Sequence, residues 1–186
     1  MSTQPLEQTI ATTRSVLTNV TPDQLAQPTP CESWDVAALI NHIVGGQHFF
    51  VAGLAGQPQS DDETDFASGD FVAAFDEASA ACLAGFQADG VMEKSYKLPF
   101  GEMPGSAFMG LAITDTFQHG WDLAKATGQS TELAPELAEA LLAQSKRSIQ
   151  DSFRGPEGKA PFGPEQTAPA GAGPADQLAA FLGRSV

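Results

Sequence analysis

Hydrophobic residues recur three and four positions apart in several segments of the chain, and almost no stretch alternates with a period of two. This pattern predicts a mainly α-helical protein. The first helix is predicted from about Pro5 to Asn19, followed by a second helix or a short turn at the TPDQL motif. The strongest segment runs from about Val36 to Ala55, with Asp35 as its N-cap, and the next runs from Phe71 to Phe86.

The helical pattern stops in the middle of the chain and then resumes. VMEKSYKLPFGEMPG is interrupted by prolines and glycines, so it predicts an extended crossover with room for a short strand. A further helix is predicted from about Ser106 to Thr127, where Gly128 ends it. TELAPELAEALLAQSKRSIQ predicts an amphipathic final helix.

The segment from Arg154 to Gly173 is rich in Pro, Gly and Ala, a composition that cannot bury a core on its own. We predict an arm that lies on the surface and ends in a short helix at ADQLAAFLGR, packed on the body. A chain of 186 residues suits one domain. We divide it into a helical bundle at 1–153 and the arm at 154–186, and expect the acidic GQPQSDDETDFASGD to be a surface loop.

Charge and cysteine content narrow the function classes. Nine Lys and Arg against 23 Asp and Glu give a formal net charge of −14, which repels phosphate backbones and anionic lipids. The N-terminus lacks the basic stretch followed by an apolar run that is typical of a leader peptide. No run of apolar residues is long enough to span a bilayer. We therefore expect a cytoplasmic protein without nucleic-acid or membrane partners.

Two cysteines exclude a thiolate-rich zinc site, so any metal must be held by His and carboxylates.

The motif TDTFQHGWDLA concentrates candidate chemistry on one helix. Asp115 and His119 are four residues apart and project from one face, and Asp122 follows three residues later on nearly the same side. Their spacing resembles the carboxylate and histidine clusters of helix-bundle metal sites, in which other helices supply further ligands. These residues can therefore converge on one point, with a third ligand from elsewhere.

His42 is the candidate for that third ligand. It lies in the middle of the strongest predicted helix, just before Gly45 and Gly46. Because helical side chains lean toward the N-terminus, the missing side chain at Gly46 is expected to leave the patch beside His42 uncovered. His48, six residues further on, points elsewhere and is expected to be exposed.

Spacing alone leaves other interpretations open. His42 and His119 can be buried, hydrogen-bonded histidines, with Asp115 orienting one of them. Asp122 can accept a hydrogen bond from His119 or pair with Lys125 on the surface; we favour the first, because ligating histidines normally donate their other N–H. Whether Asp115 or Asp122 is the carboxylate ligand stays open at this point.

Three further side chains have two interpretations each. Cys31 lies just before a helix N-terminus, which can lower a thiol pKa, but we favour a small buried residue. Trp34 and Trp121 are expected in the core or in the wall of a pocket.

TPCESWDVAALINHIVGGQHFFVAGLAG and DTFQHGWDLAKATGQ resemble the DinB-like superfamily. More narrowly, they are similar to actinobacterial proteins related to the N-terminal domain of mycothiol-dependent maleylpyruvate isomerase. The resemblance implies an all-α, four-helix bundle with a long crossover connection, here followed by the Pro/Gly/Ala-rich C-terminal arm. It also implies one divalent metal ion between the helices, and the matching positions are His42, Asp115 and His119.

The resemblance also implies a function, with two departures. The isomerase has Glu where this chain has Asp115, and it has a separate C-terminal domain where this chain has an arm. We therefore expect a metal- and thiol-dependent transferase or isomerase with mycothiol as cosubstrate, and not the action on maleylpyruvate itself. Its partners would be a small-molecule thiol and an electrophile, and the Phe residues around Phe49 suggest a homodimer.

Two imidazoles and one carboxylate leave a coordination position open, as in catalytic sites. Zn²⁺ is the default metal for such ligands, with Ni²⁺ and Fe²⁺ as alternatives. Two other functions stay open. One is a non-catalytic bundle that binds a small ligand or a partner chain, since no general acid or nucleophile stands out beyond the three ligands. The other is a non-haem iron oxygenase, which also uses two His and one carboxylate.

Overall fold

The computed structural model describes residues 2–58, 64–156 and 159–186. This part of the chain contains six α-helices, three short 3-10 helices and one two-stranded sheet. The helices and strands are α1 (Gln4–Thr18), α2 (Val36–Ala55), α3 (Phe71–Gln87), β1 (Ser95–Leu98), β2 (Gly101–Pro104), α4 (Gly105–Ala126), α5 (Pro135–Ser148) and α6 (Pro174–Phe181). The 3-10 helices are Pro22–Gln24, Phe66–Ser68 and Asp151–Phe153. The prediction of a mostly helical protein is confirmed.

Local sequence accounts for where α2 begins. Asp35 precedes the helix in an extended conformation, and its carboxylate accepts a hydrogen bond from the backbone N–H of Ala38 at 2.8 Å. This bond satisfies one of the N–H groups that a helix start leaves unpaired. The helix ends at Gly56, whose φ of 64° lies in the left-handed region that glycine adopts without strain.

The crossover between α3 and α4 contains an antiparallel hairpin, so the structure adds a small sheet to the predicted all-α fold. β1 and β2 pair from Ser95 with Pro104 to Leu98 with Gly101. Gly101 has a φ of 138°, which a residue with a side chain rarely adopts, and it follows directly on the chain reversal. Tyr96 and Leu98 are buried against the body, which anchors the hairpin.

Helix packing brings α2 and α4 side by side. α1 and α2 each pack against both α3 and α4. α5 and α6 pack together, and α6 also contacts α4. The fully buried Trp121 of α4 donates from Nε1 to Asp176 of α6 at 2.9 Å, which ties this C-terminal helix to the body.

α2 is long and apolar enough to cross a membrane by length and composition alone, and it is the one such helix in the described ranges. A core helix passes the same test, and α2 packs against α3 and α4 through Leu39, Ile40 and Ile43. Parts of two predicted segments lie outside the described residues: 59–63 of the acidic loop and 157–158 of the arm.

Candidate metal centre

The packing of α2 against α4 brings His42, Asp115 and His119 together. Asp115 Oδ1 lies 3.7 Å from Nε2 of His42 and 3.6 Å from Nε2 of His119. The two imidazole rings meet edge to face, with centroids 4.4 Å apart. One ligand atom from each residue therefore lies within 4.8 Å of the other two.

Of the two adjacent glycines of α2, Gly46 borders this cluster and Gly45 does not. A Cβ atom on Gly46 would lie 3.5 Å from Asp115 Oδ2, whereas one on Gly45 would meet nothing within 4 Å. The prediction left the patch beside His42 open to another group, and in the structure the Asp115 carboxylate lies there, against Gly46. His48 is exposed and stacks on Phe66 with centroids 5.6 Å apart, away from the cluster, as the sequence predicted.

Asp122 lies beneath His119 and is fully buried, so it is not a surface partner of Lys125. His119 Nδ1 donates to Asp122 Oδ2 at 3.0 Å. Arg184 donates to both oxygens, from Nε to Oδ1 at 2.9 Å and from Nη2 to Oδ2 at 3.0 Å. Gln118 Nε2 adds a further bond to Oδ1 at 3.2 Å. Asp122 thus holds the ring of His119 so that Nε2 faces Asp115.

The donor atoms fit a divalent ion. His42 Nε2 is buried and has no hydrogen-bond partner among the described residues, and a buried polar atom of this kind is costly unless something satisfies it. Zinc bonds of about 2.0–2.1 Å in a tetrahedron place ligand atoms ~3.3 Å apart. The separations of 3.6 and 3.7 Å around Asp115 Oδ1 are close to that spacing.

A second group, Cys31, His119 and Asp122, is equally close, but a cation already occupies it. Its ligand atoms also lie within 4.8 Å of one another. Arg184 Nη2 donates to Cys31 Sγ at 3.3 Å as well as to Asp122, so a cation already bonds to two of the three groups. Of the two groups, His42, Asp115 and His119 is therefore the better candidate.

The electrostatics of the metal-free cluster follow from this geometry. Burial disfavours the charged form of each group, but the neighbouring charges outweigh it. The pKa of Asp115 is lowered by His119 and His42, and that of Asp122 is lowered to about 2 by His119 and Arg184. Burial also opposes protonation of His119, yet Asp115 and Asp122 raise its pKa to about 10. Without metal, His119 is an imidazolium between two carboxylates.

Two cavities meet at Asp115, His119 and Arg184. The first, of about 420 Å³, lies beside α5 and is called the α5 cavity; its lining includes Met103, Leu111, Ile149, Phe153, Phe162 and Leu182. The second, of about 800 Å³, is called the Trp34 cavity; its lining includes Cys31, Ser33, Trp34, His42, Lys125 and Gln166. The indole of Trp34 lies against His42, with ring centroids 4.4 Å apart.

The sequence patterns did not point to Arg184 and did not connect Cys31 to the cluster. Cys31 is buried, as favoured, and Trp34 forms a cavity wall while Trp121 lies in the core. Arg184 follows α6 in the segment predicted as a surface arm, where no periodicity marks it. Its bond to Cys31 joins residues 153 positions apart, which local pattern does not reveal.

Residues 6–124 match the family model of the mycothiol maleylpyruvate isomerase N-terminal domain. The chain belongs to this family. The isomerase N-terminal domain family is part of the DinB-like superfamily, as the sequence motifs indicated. The matched range includes His42, Asp115, His119 and Asp122, whereas Arg184 lies outside it.

Relatives of the chain come from Mycobacterium tuberculosis. Uncharacterised proteins of strains CDC 1551 / Oshkosh and ATCC 25618 / H37Rv are each 46% identical to it over 172 residues, which is 92% of this chain and 91% of theirs. No solved structure matches the chain significantly.

Proposed function

We propose that the protein binds one divalent metal ion through His42, Asp115 and His119 and uses it in a mycothiol-dependent transfer or isomerisation. The observation that carries the proposal is the buried Nε2 of His42, which faces Asp115 Oδ1 and lacks a hydrogen-bond partner among the described residues. Zn²⁺ is the metal we expect, with Ni²⁺ and Fe²⁺ as alternatives. Membership of the isomerase N-terminal domain family supports the link to mycothiol.

The fold and location are part of the same proposal. The pairwise packing of α1 to α4 supports a DinB-like four-helix bundle, with β1 and β2 in the long crossover. We assign the bundle to 1–153 and the arm, with α6 packed on the bundle, to 154–186. The net charge of −14 supports a cytoplasmic protein without nucleic-acid or membrane partners.

A divalent ion held by His42, Asp115 and His119 would supply a Lewis acid that favours the thiolate form of a thiol. Asp122 keeps Nε2 of His119 directed at the ligand cluster. The indole of Trp34 lies against one side of the His42 ring. The Trp34 cavity, with Ser33, Lys125 and Gln166 in its wall, offers hydrogen-bonding groups for the hydroxyl-rich body of mycothiol.

The decisive experiment is elemental analysis of untagged protein purified without chelator and then loaded with Zn²⁺, Ni²⁺ or Fe²⁺. We expect about one equivalent of metal in the parent and in His48→Ala, whose exposed ring lies outside the cluster. His42→Ala and His119→Ala should retain little. Equal metal in the parent and in His119→Ala, or none in any protein, would refute the site.

Thiol chemistry is tested next, with the metal-loaded parent and His42→Ala assayed on mycothiol and a panel of electrophiles. We expect transfer or isomerisation with the parent and its loss with His42→Ala. Full activity of a metal-free variant would exclude the mechanism.

The second candidate is a non-catalytic protein that binds a small ligand or a partner chain. It is favoured by the metal-free network, in which Asp122 already has hydrogen bonds from His119, Arg184 and Gln118. A calorimetric titration with mycothiol separates the two functions. If the protein is catalytic, it should bind mycothiol in a way that depends on the metal. If its metal is structural or its ligand is an unrelated molecule, it should show no such binding of mycothiol.

A homodimer through the aromatic residues around Phe49 is also proposed. Phe49 is only partly buried and stacks on Phe100, with ring centroids 6.1 Å apart. Phe100 is 60% exposed and presents an apolar ring to solvent. Light scattering on the parent and on Phe100→Ser tests this: a dimer that becomes a monomer supports it, and a monomeric parent contradicts it.

A further inference from the structure

We propose that the α5 cavity is the binding site of the electrophile and that it takes an uncharged molecule with an apolar body, such as an α,β-unsaturated ketone or aldehyde. The inference rests on the proposed function, because it assumes that a thiol reacts at the metal centre. It assigns the two reactants to the two cavities, which meet at the ligand cluster.

The lining of the α5 cavity suits the apolar body of a ligand. β2 and α4 contribute Met103 and Leu111 to it, and the chain after α5 contributes Ile149, Phe153 and Phe162. Its volume of about 420 Å³ falls within the range of roughly 300–1,000 Å³ that small-molecule sites occupy. Transfer of an apolar body from water into such a lining is favourable.

The charges of the cavity argue against an anionic substrate. Among its described lining residues, Asp115 is the one acidic side chain, Arg184 is the one Lys or Arg, and His119 is the one histidine. Arg184 already donates to both oxygens of the buried Asp122, so binding a substrate carboxylate there would compete with that pair. The net charge of −14 also repels a dicarboxylate from the protein as a whole. Burying carboxylates without partners is costly.

The position of the cavity suits a reaction between two bound molecules. Asp115 and His119 line both cavities, so a thiol in the Trp34 cavity and an electrophile in the α5 cavity reach the ligand cluster from different sides. In the addition, the thiolate sulfur bonds to the β carbon and the C=C electron pair moves toward the carbonyl. The proton released by the thiol then returns to the α carbon, so no other reactant is required.

The test uses Nile red, an uncharged dye that fluoresces in apolar sites, with the zinc-loaded full chain. Ala107 lines the α5 cavity and its side chain is exposed, so Ala107→Trp can fill the cavity without disturbing the core. Ala84 is also exposed, on α3 and outside both cavities, so Ala84→Trp is the matched control. We expect Ala107→Trp to weaken dye binding by about tenfold or more and Ala84→Trp to leave it unchanged.

Competition then tests the substrate class. The uncharged trans-2-nonenal should displace Nile red from the parent, and the dianion maleate should not. Two results would overturn the inference. One is that Ala107→Trp leaves dye binding unchanged, and the other is that maleate displaces the dye as effectively as nonenal does. Neither result depends on activity, and metal analysis of the same samples is independent of both. Loss of the metal site would therefore refute the proposed function separately from this one.

Discussion

Arg184 donates to both carboxylate oxygens of Asp122, and the two residues are 62 positions apart in the chain. Asp122 in turn accepts from Nδ1 of His119, so a guanidinium that follows α6 fixes the orientation of a candidate ligand on α4. The carboxylate is fully buried, and Arg184 is the cation that balances its charge together with His119.

Replacing Arg184 should damage both stability and metal binding. Arg184→Met keeps the length of the side chain but leaves Asp122 without one of its two cationic partners. Breaking a buried pair in this way costs about 3–5 kcal/mol, and losing the group that orients a ligating histidine lowers metal affinity by about 10–100-fold. Urea denaturation and zinc titration measure the two effects.

The control for that experiment is Arg147→Met on the exposed surface of α5, which should change neither quantity. Arg184→Lys should be intermediate, because lysine keeps the charge but cannot donate to both oxygens in a fixed fork. Parent-like zinc affinity in Arg184→Met would show that Asp122 orients His119 without help.

The adjacent glycines of α2 should respond differently to the same substitution. A leucine at position 46 begins with a Cβ 3.5 Å from Asp115 Oδ2 and must push that carboxylate away, so Gly46→Leu should lose most of its metal. Gly45→Leu meets no atom within 4 Å of its Cβ and should keep about one equivalent. It should also gain about 0.5–1 kcal/mol, because glycine is a poor helix former.

Metal analysis and thermal denaturation of the two leucine variants provide the comparison. Gly46→Ala is an additional check, since its Cβ would make ordinary van der Waals contact with Asp115 and should be tolerated. Equal metal content in both leucine variants would mean that Asp115 is not a ligand or can bind from another position.

Metal binding should weaken as the pH falls. His119 has a pKa of about 10 in the metal-free protein, so its ring is protonated at neutral pH and must release that proton before Nε2 can coordinate. Below that pKa, each proton that the metal displaces makes the apparent metal affinity about tenfold higher for each unit by which the pH rises.

Zinc titrations by calorimetry between pH 6 and pH 8, in buffers of different ionisation enthalpy, count the released protons directly. This window of about two pH units lies below the pKa of His119, which Asp115 and Asp122 raise. An affinity independent of pH over this interval would contradict the ligand role of His119.

The two cysteines should differ in reactivity toward a disulfide reagent. Burial raises the pKa of Cys82 to about 12, and its side chain is fully buried in the core, so it should react only after unfolding. Cys31 is 7% exposed and lines the Trp34 cavity, so it should react slowly in the native protein. Cys31→Ser should abolish the native reaction, and rapid modification of both thiols in the parent would contradict this assignment.

Much of the fold follows from local sequence. Periodicity and the Asp35 cap locate α2, and an apolar face with Gly128 behind it locates α4. The final predicted helix begins later than its apolar pattern suggests, at Pro135, because Ala134 has a φ of 34° and cannot continue a helix. The hairpin was only partly predicted, since two short strands bounded by proline and glycine give little alternation.

The candidate site, like the fold, was predicted from the sequence only in part. Asp115, His119 and Asp122 share one helix, so their proximity follows from helical geometry. His42 was a candidate from its place beside Gly45 and Gly46, and the family resemblance then matched it. Cys31 and Arg184 meet these residues only through tertiary packing across most of the chain. No periodicity or motif records such a contact, which is why Arg184 was not identified and Cys31 was not connected to the cluster.

The C-terminal segment contributes to the walls of both cavities, through Phe162 and Leu182 in one, Gln166 in the other and Arg184 in both. The family match ends at residue 124 and includes every candidate ligand. The candidate ligands thus lie within the matched range, whereas the walls of the two cavities combine residues from inside that range with residues of the C-terminal segment. Divergence after residue 154 can therefore reshape the two cavities while the cluster of candidate ligands is kept unchanged.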